Sequence, residues 1–194
     1  ATPSLANLVD GIAGADSWAT DAHKTLNTPY DCGVAIIADP SAATRAFSHH
    51  AEYLIDAAVP DPHEYVPELS RRARGVPVWA ALASLGRAGV RDLVDGLVSS
   101  AHGIAHGIAQ LPGATIVNDV VYTQVCVSFE DDETTSAVYD AIIAEGEIFP
   151  SPSRWRDRAV IRISVSNWQT HEAEVATTIA AFERARAAVG VPVA

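Results

Sequence analysis

From Ala159 to Ser166 the chain alternates without a break: Ile161, Ile163 and Val165 fall on one side, Arg162, Ser164 and Ser166 on the other. Successive side chains of a strand point to opposite faces, so this segment is a strand with one apolar and one polar face. A sheet built from such a strand must bury its apolar face under helices, and the neighbouring sequence supplies them. Asp131, Asp132 and Glu133 open a helix that runs to about Glu145, because carboxylates offset the positive end of a helix. Thr170 caps a last helix whose Val175, Ile179, Phe182 and Val189 share a face, and Gly190 with Pro192 closes it. Leu93, Leu97, Ile104, Ile108 and Leu111 form one stripe of an earlier helix that starts at Val90 and stops at Pro112-Gly113. Thr115 to Val117 and Val125 to Phe129 read as two more strands, giving a small α/β domain.

The first half has a different pattern. A short helix or loop, Leu5 to Ile12, leads to an alternating segment at Ala15 to Ala19 and then to a polar turn. After the turn, Gly33 to Ala38 is apolar at nearly every position, which suits a strand covered on both faces in a mostly parallel sheet. Pro40, Pro60, Pro62 and Pro67 then mark an irregular stretch. Pro77 is placed to start a helix over Val78 to Leu85 that Gly86 ends. The expected division is residues 1–94 and 95–194, inside a helical segment that passes from one domain to the other.

The sequence has 194 residues, of which 48% are hydrophobic, enough for a sizeable core. Acidic residues outnumber basic ones by 24 to 13 and the net charge is -11, which disfavours nucleic acid or an anionic membrane as partner. No apolar run approaches the ~20 residues that cross a bilayer, and the first residues lack a secretory pattern, so a cytoplasmic protein is expected. Cys32 and Cys126 are too few and too far apart for a disulfide framework and are expected to be reduced.

The polar turn carries the chemistry. Its string runs Asp16-Ser17-Trp18-Ala19-Thr20-Asp21-Ala22-His23-Lys24-Thr25-Leu26-Asn27-Thr28-Pro29-Tyr30-Asp31-Cys32-Gly33, and Ala51-Glu52-Tyr53-Leu54, Ser70-Arg71-Arg72-Ala73-Arg74 and Ile161-Arg162-Ile163-Ser164-Val165-Ser166-Asn167 follow. In order and spacing these resemble the pyridoxal-phosphate-dependent amino acid decarboxylases, the group of the glutamate and aromatic amino acid enzymes. The resemblance implies an α/β fold: the end of the large domain of a fold-type I enzyme, then a small C-terminal domain. It implies pyridoxal 5'-phosphate as cofactor and Lys24 as its Schiff-base partner. A lysine does this only as an accessible neutral amine, so a shielded, cation-adjacent turn is expected around it. His23, Asp21, Thr20 and Ser70 are then expected beside the cofactor, with Asp21 standing where several members of the family have asparagine.

Tyr53 matches a loop tyrosine that protonates the intermediate carbanion, with Tyr65 as substitute, and the family's loop reaches the partner subunit's site, which implies a homodimer. Arg162 matches the arginine that binds the carboxylate of an amino acid substrate, and a guanidinium on so apolar a strand needs an anion if it is buried. Arg71, Arg72 and Arg74 are either a solvated cluster or a lining of the dimer interface. The resemblance covers only the family's second half, so the chain is expected to need a missing N-terminal half and to be inactive alone. The alternatives are another carbon-carbon lyase or an aldehyde-forming reaction on the same scaffold, or a non-catalytic binding or regulatory fragment. His102 and His106 have a spacing that can chelate a metal but lack a third ligand, and His49-His50 is equally weak, so no metal is expected.

Overall fold

In the computed structural model residues 2–47 and 62–190 are described. Tyr53, its Ala51–Leu54 motif, His49 and His50 lie outside the described residues. The chain divides into two units, Ala1–Arg87 and Ala88–Ala194.

The first unit opens with 3₁₀ turns at Pro3–Val9 and Ile12–Gly14. Strands β1 (Ser17–Asp21) and β2 (Gly33–Ile37) pair antiparallel, from Ser17 opposite Ile37 to Asp21 opposite Gly33. The apolar run of β2 is not covered on both faces as expected: Ala35 and Ile36 are exposed, and Val34 and Ile37 half-buried. Apolarity reports which faces favour cover, and it does not set the direction of pairing. The irregular stretch expected from Pro40 begins instead as helix α1 (Pro40–Phe47). Pro40 has the preset φ of a first helical residue, and Asp39 Oδ1 accepts from the Ser41 N–H at 3.0 Å and the Ser41 hydroxyl at 2.6 Å. A 3₁₀ turn at Pro62–Tyr65 precedes helix α2 (Gly75–Ile108), which is interrupted at Gly86, where φ is 62° and ψ -174°. Only glycine adopts such a conformation easily, and the division between the two compact units falls beside it.

In the second unit strands β3 (Thr115–Ile116), β4 (Gln124–Ser128), β5 (Ser151–Trp155) and β6 (Arg158–Ser164) form an antiparallel sheet in the order β3-β4-β6-β5. Both sheets of the described residues are therefore antiparallel, within an α/β chain. Strand β5 has no alternating apolar signal and contains Pro152, which its place at a sheet edge tolerates. Helices α3 (Asp132–Glu145) and α4 (Glu172–Val189), with the second part of α2, cover one sheet face. Val125, Val127, Phe129, Ile161, Ile163 and Val165 meet Leu97, Ile104, Ile108, Val138, Ile142 and Phe182 there, so the expected apolar stripes do form the core. Asp131 caps α3 as its charge suggests, accepting from the Thr134 N–H at 2.7 Å. Helix α4 is capped at His171 rather than Thr170: the His171 N–H donates to Glu174 Oε2 at 2.9 Å, while the Thr170 carbonyl accepts from Ser100.

Two features hold α4 in place. Gly103 and Gly107 of α2 leave room for it: an added Cβ would lie 3.3 Å from Val175 Cγ1 at the first and 2.7 Å from Ile179 Cγ1 at the second. Arg186, only 4% exposed, donates from Nε to the Pro112 carbonyl at 2.9 Å and from Nη2 to Glu130 Oε1 at 2.6 Å, and its Nη1 reaches the Gly190 carbonyl. No helix of the described residues is long and apolar enough to cross a membrane.

Candidate functional site

Lys24 lies in the turn that follows β1, within the loop that joins β1 to β2, and the loop is tied to itself by the backbone. The Ala22 N–H donates to the Cys32 carbonyl at 2.9 Å, Thr28 N–H to the Ala22 carbonyl at 3.1 Å, and Lys24 N–H to the Asp21 carbonyl at 3.2 Å. Asn27, at φ 54°, donates from its backbone and its side chain to the Lys24 carbonyl, at 3.0 and 3.1 Å. Asparagine tolerates this left-handed conformation because its short amide bonds to nearby backbone. Ala22, Thr28 and Cys32 are buried under the loop, so the lysine projects from a packed base.

His23 is fixed by the same loop. Its Nδ1 lies 3.0 Å from the Cys32 nitrogen and 3.1 Å from the Cys32 oxygen. With the ring proton on Nε2 the Cys32 N–H donates to Nδ1, and with a proton on Nδ1 the ring donates to the Cys32 carbonyl, so either state stays on Cys32. The ring also packs on Tyr30, with centroids 4.2 Å apart and planes at 40°.

The surroundings of Lys24 differ from the shielded, cation-adjacent turn the chemistry suggested. The side chain is 63% exposed, and Nζ lies 2.7 Å from Asp21 Oδ2. The Lys24 hydrogen bond holds the Asp21 carboxyl below its ordinary range, so Asp21 retains the ammonium and is a poor acceptor for its proton. Asp21 thus faces the lysine. Lys24 and Asp21 are brought into contact beside His23, while Thr20 is exposed on β1 and Ser70 is exposed in the segment before α2.

An aldehyde cofactor needs an amine it can reach, and Lys24 is the only lysine in the sequence. A lysine count singles it out before any motif does. Its exposed primary amine at Nζ suits an aldehyde cofactor, so Lys24 is compatible with pyridoxal phosphate.

The second unit carries Arg162 on the sheet face that the helices leave open. Cross-strand neighbours are Cys126 on β4 and Ser151 on β5. Arg162 is exposed, because alternation turns it away from the core. Among the described residues it has no carboxylate partner. It lines a groove of about 630 Å³ with Asn118, Gln124, Cys126, Trp155 and Val160. Burial pushes the Cys126 thiol up, opposed by the Arg162 charge. His102 Nε2 is 2.7 Å from the Val120 carbonyl, and no group of three metal-ligating side chains occurs among the described residues.

The arginines of the 71–74 segment have partners that neither sequence reading gave them. Arg72 donates to the Tyr30 carbonyl at 2.8 Å, and Arg74 donates from Nε to the carbonyl and to Oδ1 of Asp31, both at 3.1 Å.

The pyridoxal-dependent decarboxylase conserved domain matches residues 1–130. The chain belongs to the pyridoxal-dependent decarboxylase family. It is similar to a phenylacetaldehyde synthase of Arabidopsis thaliana, 26% identical over 186 residues that make up 89% of this chain and 38% of that protein. To tyrosine decarboxylase 4 of Petroselinum crispum it is 34% identical over 104 residues, 51% of this chain and 20% of the relative. The chain thus spans well under half the length of the relatives it matches. Among solved structures, the tryptophan decarboxylase of Catharanthus roseus in complex with L-tryptophan superposes with a TM-score of 0.85 at 18% identity, covering 97% of this chain and 42% of that one. The Oryza sativa TDC with PLP and tryptamine gives 0.87 at 20% identity, covering 97% and 41%. These likenesses establish the fold, the one expected for a fold-type I enzyme.

Proposed function

We propose that this chain supplies the lysine-bearing part of a pyridoxal-phosphate-dependent decarboxylase of aromatic L-amino acids. The observation that carries the reading is a single lysine, exposed in the turn of a tied loop, inside the stretch that matches the family domain. Substrate class is argued from the relatives, which include tyrosine, DOPA and tryptophan decarboxylases. Residues 1–94 serve the cofactor and 95–194 form the small C-terminal domain.

Bound pyridoxal phosphate supplies the electron sink for the bond to carbon dioxide. Lys24 is its covalent anchor. Because Asp21 keeps the ammonium, Lys24 becomes nucleophilic once its proton passes to water and the side chain swings off the carboxylate. His23 keeps the base of the lysine rigid through Cys32, and Thr20 and Ser70 offer hydroxyls to a phosphate. Arg162, with its guanidinium exposed beside an apolar groove, is the ligand for the substrate carboxylate, which it grips with two parallel hydrogen bonds. Tyr53, or Tyr65 in its place, returns the proton. A homodimer, a cytoplasmic location and a requirement for an N-terminal half belong to the same proposal and rest on the family resemblance.

A second reading is kept because relatives named phenylacetaldehyde synthase match over 89% and 84% of the chain, as a relative named tyrosine/DOPA decarboxylase does over 89%. Products separate the two. With pyridoxal phosphate and L-tyrosine or L-DOPA, the protein bearing this chain is expected to release carbon dioxide and an equal amount of amine. An aldehyde in place of the amine would move the assignment to the second reading, and no carbon dioxide from any aromatic amino acid would end both. Replacing Tyr53 and Tyr65 singly by phenylalanine identifies the proton donor: the variant that loses amine formation marks it.

A further inference from the structure

The 68–74 segment holds the lysine loop from outside. Arg74 spans two anions, with Nε and Nη2 on the Asp31 carboxylate at 3.1 and 3.4 Å and Nη1 on Glu68 Oε2 at 3.3 Å. It also takes the Asp31 carbonyl at 3.1 Å, while its own carbonyl accepts from Cys32 Sγ at 3.7 Å. Arg72 takes the Tyr30 carbonyl at 2.8 Å and lies 3.5 Å from Asp31 Oδ1. Three consecutive residues, Tyr30, Asp31 and Cys32, are therefore gripped from one short segment, across a sequence separation of 42 to 43 positions.

The gripped residues are those on which His23 rests. Cys32 carries the N–H and carbonyl that hold Nδ1, and Tyr30 carries the ring that covers the imidazole. Cys32 also receives the Ala22 N–H, which closes the loop beneath Lys24. The chain of contacts is thus Arg74 and Arg72 to Tyr30–Cys32, then to Ala22 and His23, then to Lys24. Charge-assisted hydrogen bonds with a forked guanidinium fix direction as well as distance, which a lysine at the same place does not do. Solvent screens so exposed a cluster, so its effect is on geometry more than on overall stability.

We propose that Arg74, assisted by Arg72, is a positioning residue for the lysine loop: it acts through Tyr30–Cys32 to fix His23 and the backbone that carries Lys24. The part concerning Lys24 chemistry rests on the decarboxylase reading; the part concerning loop geometry does not.

The test is hydrogen exchange of the 22–33 peptides in the protein bearing this chain, without cofactor, for Arg74→Gln, Arg74→Lys and Asp31→Asn. Arg74→Gln is expected to speed exchange of the Ala22 and Cys32 amides several-fold, Arg74→Lys nearly as much despite its charge, and Asp31→Asn less, because the Asp31 carbonyl still binds Arg74. Peptides of α3 and α4 are expected to be unchanged, and if Arg74→Gln loses its fold, Asp31→Asn and Arg72→Gln carry the comparison. Unchanged exchange at Ala22 and Cys32 in all soluble variants overturns the proposal, as does full retention in Arg74→Lys. A second measurement separates the two ideas: borohydride trapping of pyridoxal phosphate on Lys24 is expected to slow in Arg74→Gln. If exchange responds but the unmutated protein traps nothing on Lys24, the decarboxylase reading fails while the loop grip stands.

Discussion

Replacing Arg186 by methionine probes what keeps the sheet of Arg162 joined to its helices. The guanidinium is 4% exposed and serves the Pro112 carbonyl, the Gly190 carbonyl and Glu130, so it ties the α2–β3 turn, the end of β4 and the end of α4 together. It also lies over the Phe129 ring at 5.7 Å, a contact that a methionine side chain partly replaces. Removing one member of a buried pair usually destabilises by about 3–5 kcal/mol, since the other charge is left without its partner. Here the Glu130 side chain is 33% exposed and regains water, which places the loss near the lower end, about 3 kcal/mol. At ~1.4 kcal/mol per tenfold, exchange of amides in β4 and α4 that open by global unfolding of this unit should rise about 100-fold. Hydrogen exchange read by mass spectrometry measures this for β4 and α4 while the lysine loop serves as an internal reference. A rise below about fivefold would refute the reasoning, because it would mean that Arg186 is no tighter than a surface pair.

Gly113 tests the same network from the other side: it sits at φ 75°, and an added Cβ would collide with the Glu130 carboxylate that Arg186 holds. Gly113→Ala should destabilise this unit by about 1–3 kcal/mol, and less in the Arg186→Met background where Glu130 can move, a coupling that a double-mutant cycle reads. Gly107→Ala should destabilise by about 1–3 kcal/mol through the Ile179 contact, with partial recovery when Ile179 becomes alanine, measured by urea unfolding. Asp132 predicts a pH dependence. Its carboxyl is held below the ordinary range by the Ala159 N–H at 2.8 Å and then by Arg154, so its contribution is complete above the unfolded value near 3.8. That contribution is lost as the pH falls through the lower folded value; thermal melts should show an acid-side decline that Asp132→Asn reduces.

The core of the second unit was legible because its strands and helices each repeat a period: Ile161, Ile163 and Val165 by two, and Leu97, Ile104 and Ile108 by the helical turn. Strand β5 was not, since an edge strand of Ser151, Pro152, Ser153 and Arg154 buries little and repeats nothing. Periodicity also left the pairing partner of β2 open, and its apolar run pointed to a parallel sheet where an antiparallel pair forms. Lys24 was legible twice, from its motif and from being the only lysine in the sequence. Its ion pair with Asp21 was not anticipated, although the i,i+3 spacing puts the two within reach across a tight turn. The grip of Arg74 on Asp31 had no local signal at all, because the partners are 43 positions apart and meet only through the fold. Alternation did place Arg162 opposite the core residues of β6, and the exposure of that strand face follows from having helices on one side only.

The central claim is that Nζ of Lys24 anchors pyridoxal phosphate. The protein bearing this chain, incubated with pyridoxal phosphate, reduced with borohydride and digested, should carry a phosphopyridoxyl mass on the peptide containing Lys24, and Lys24→Arg should abolish it. A reduced sample with no adduct on that peptide, or with the adduct on another residue, would contradict the claim.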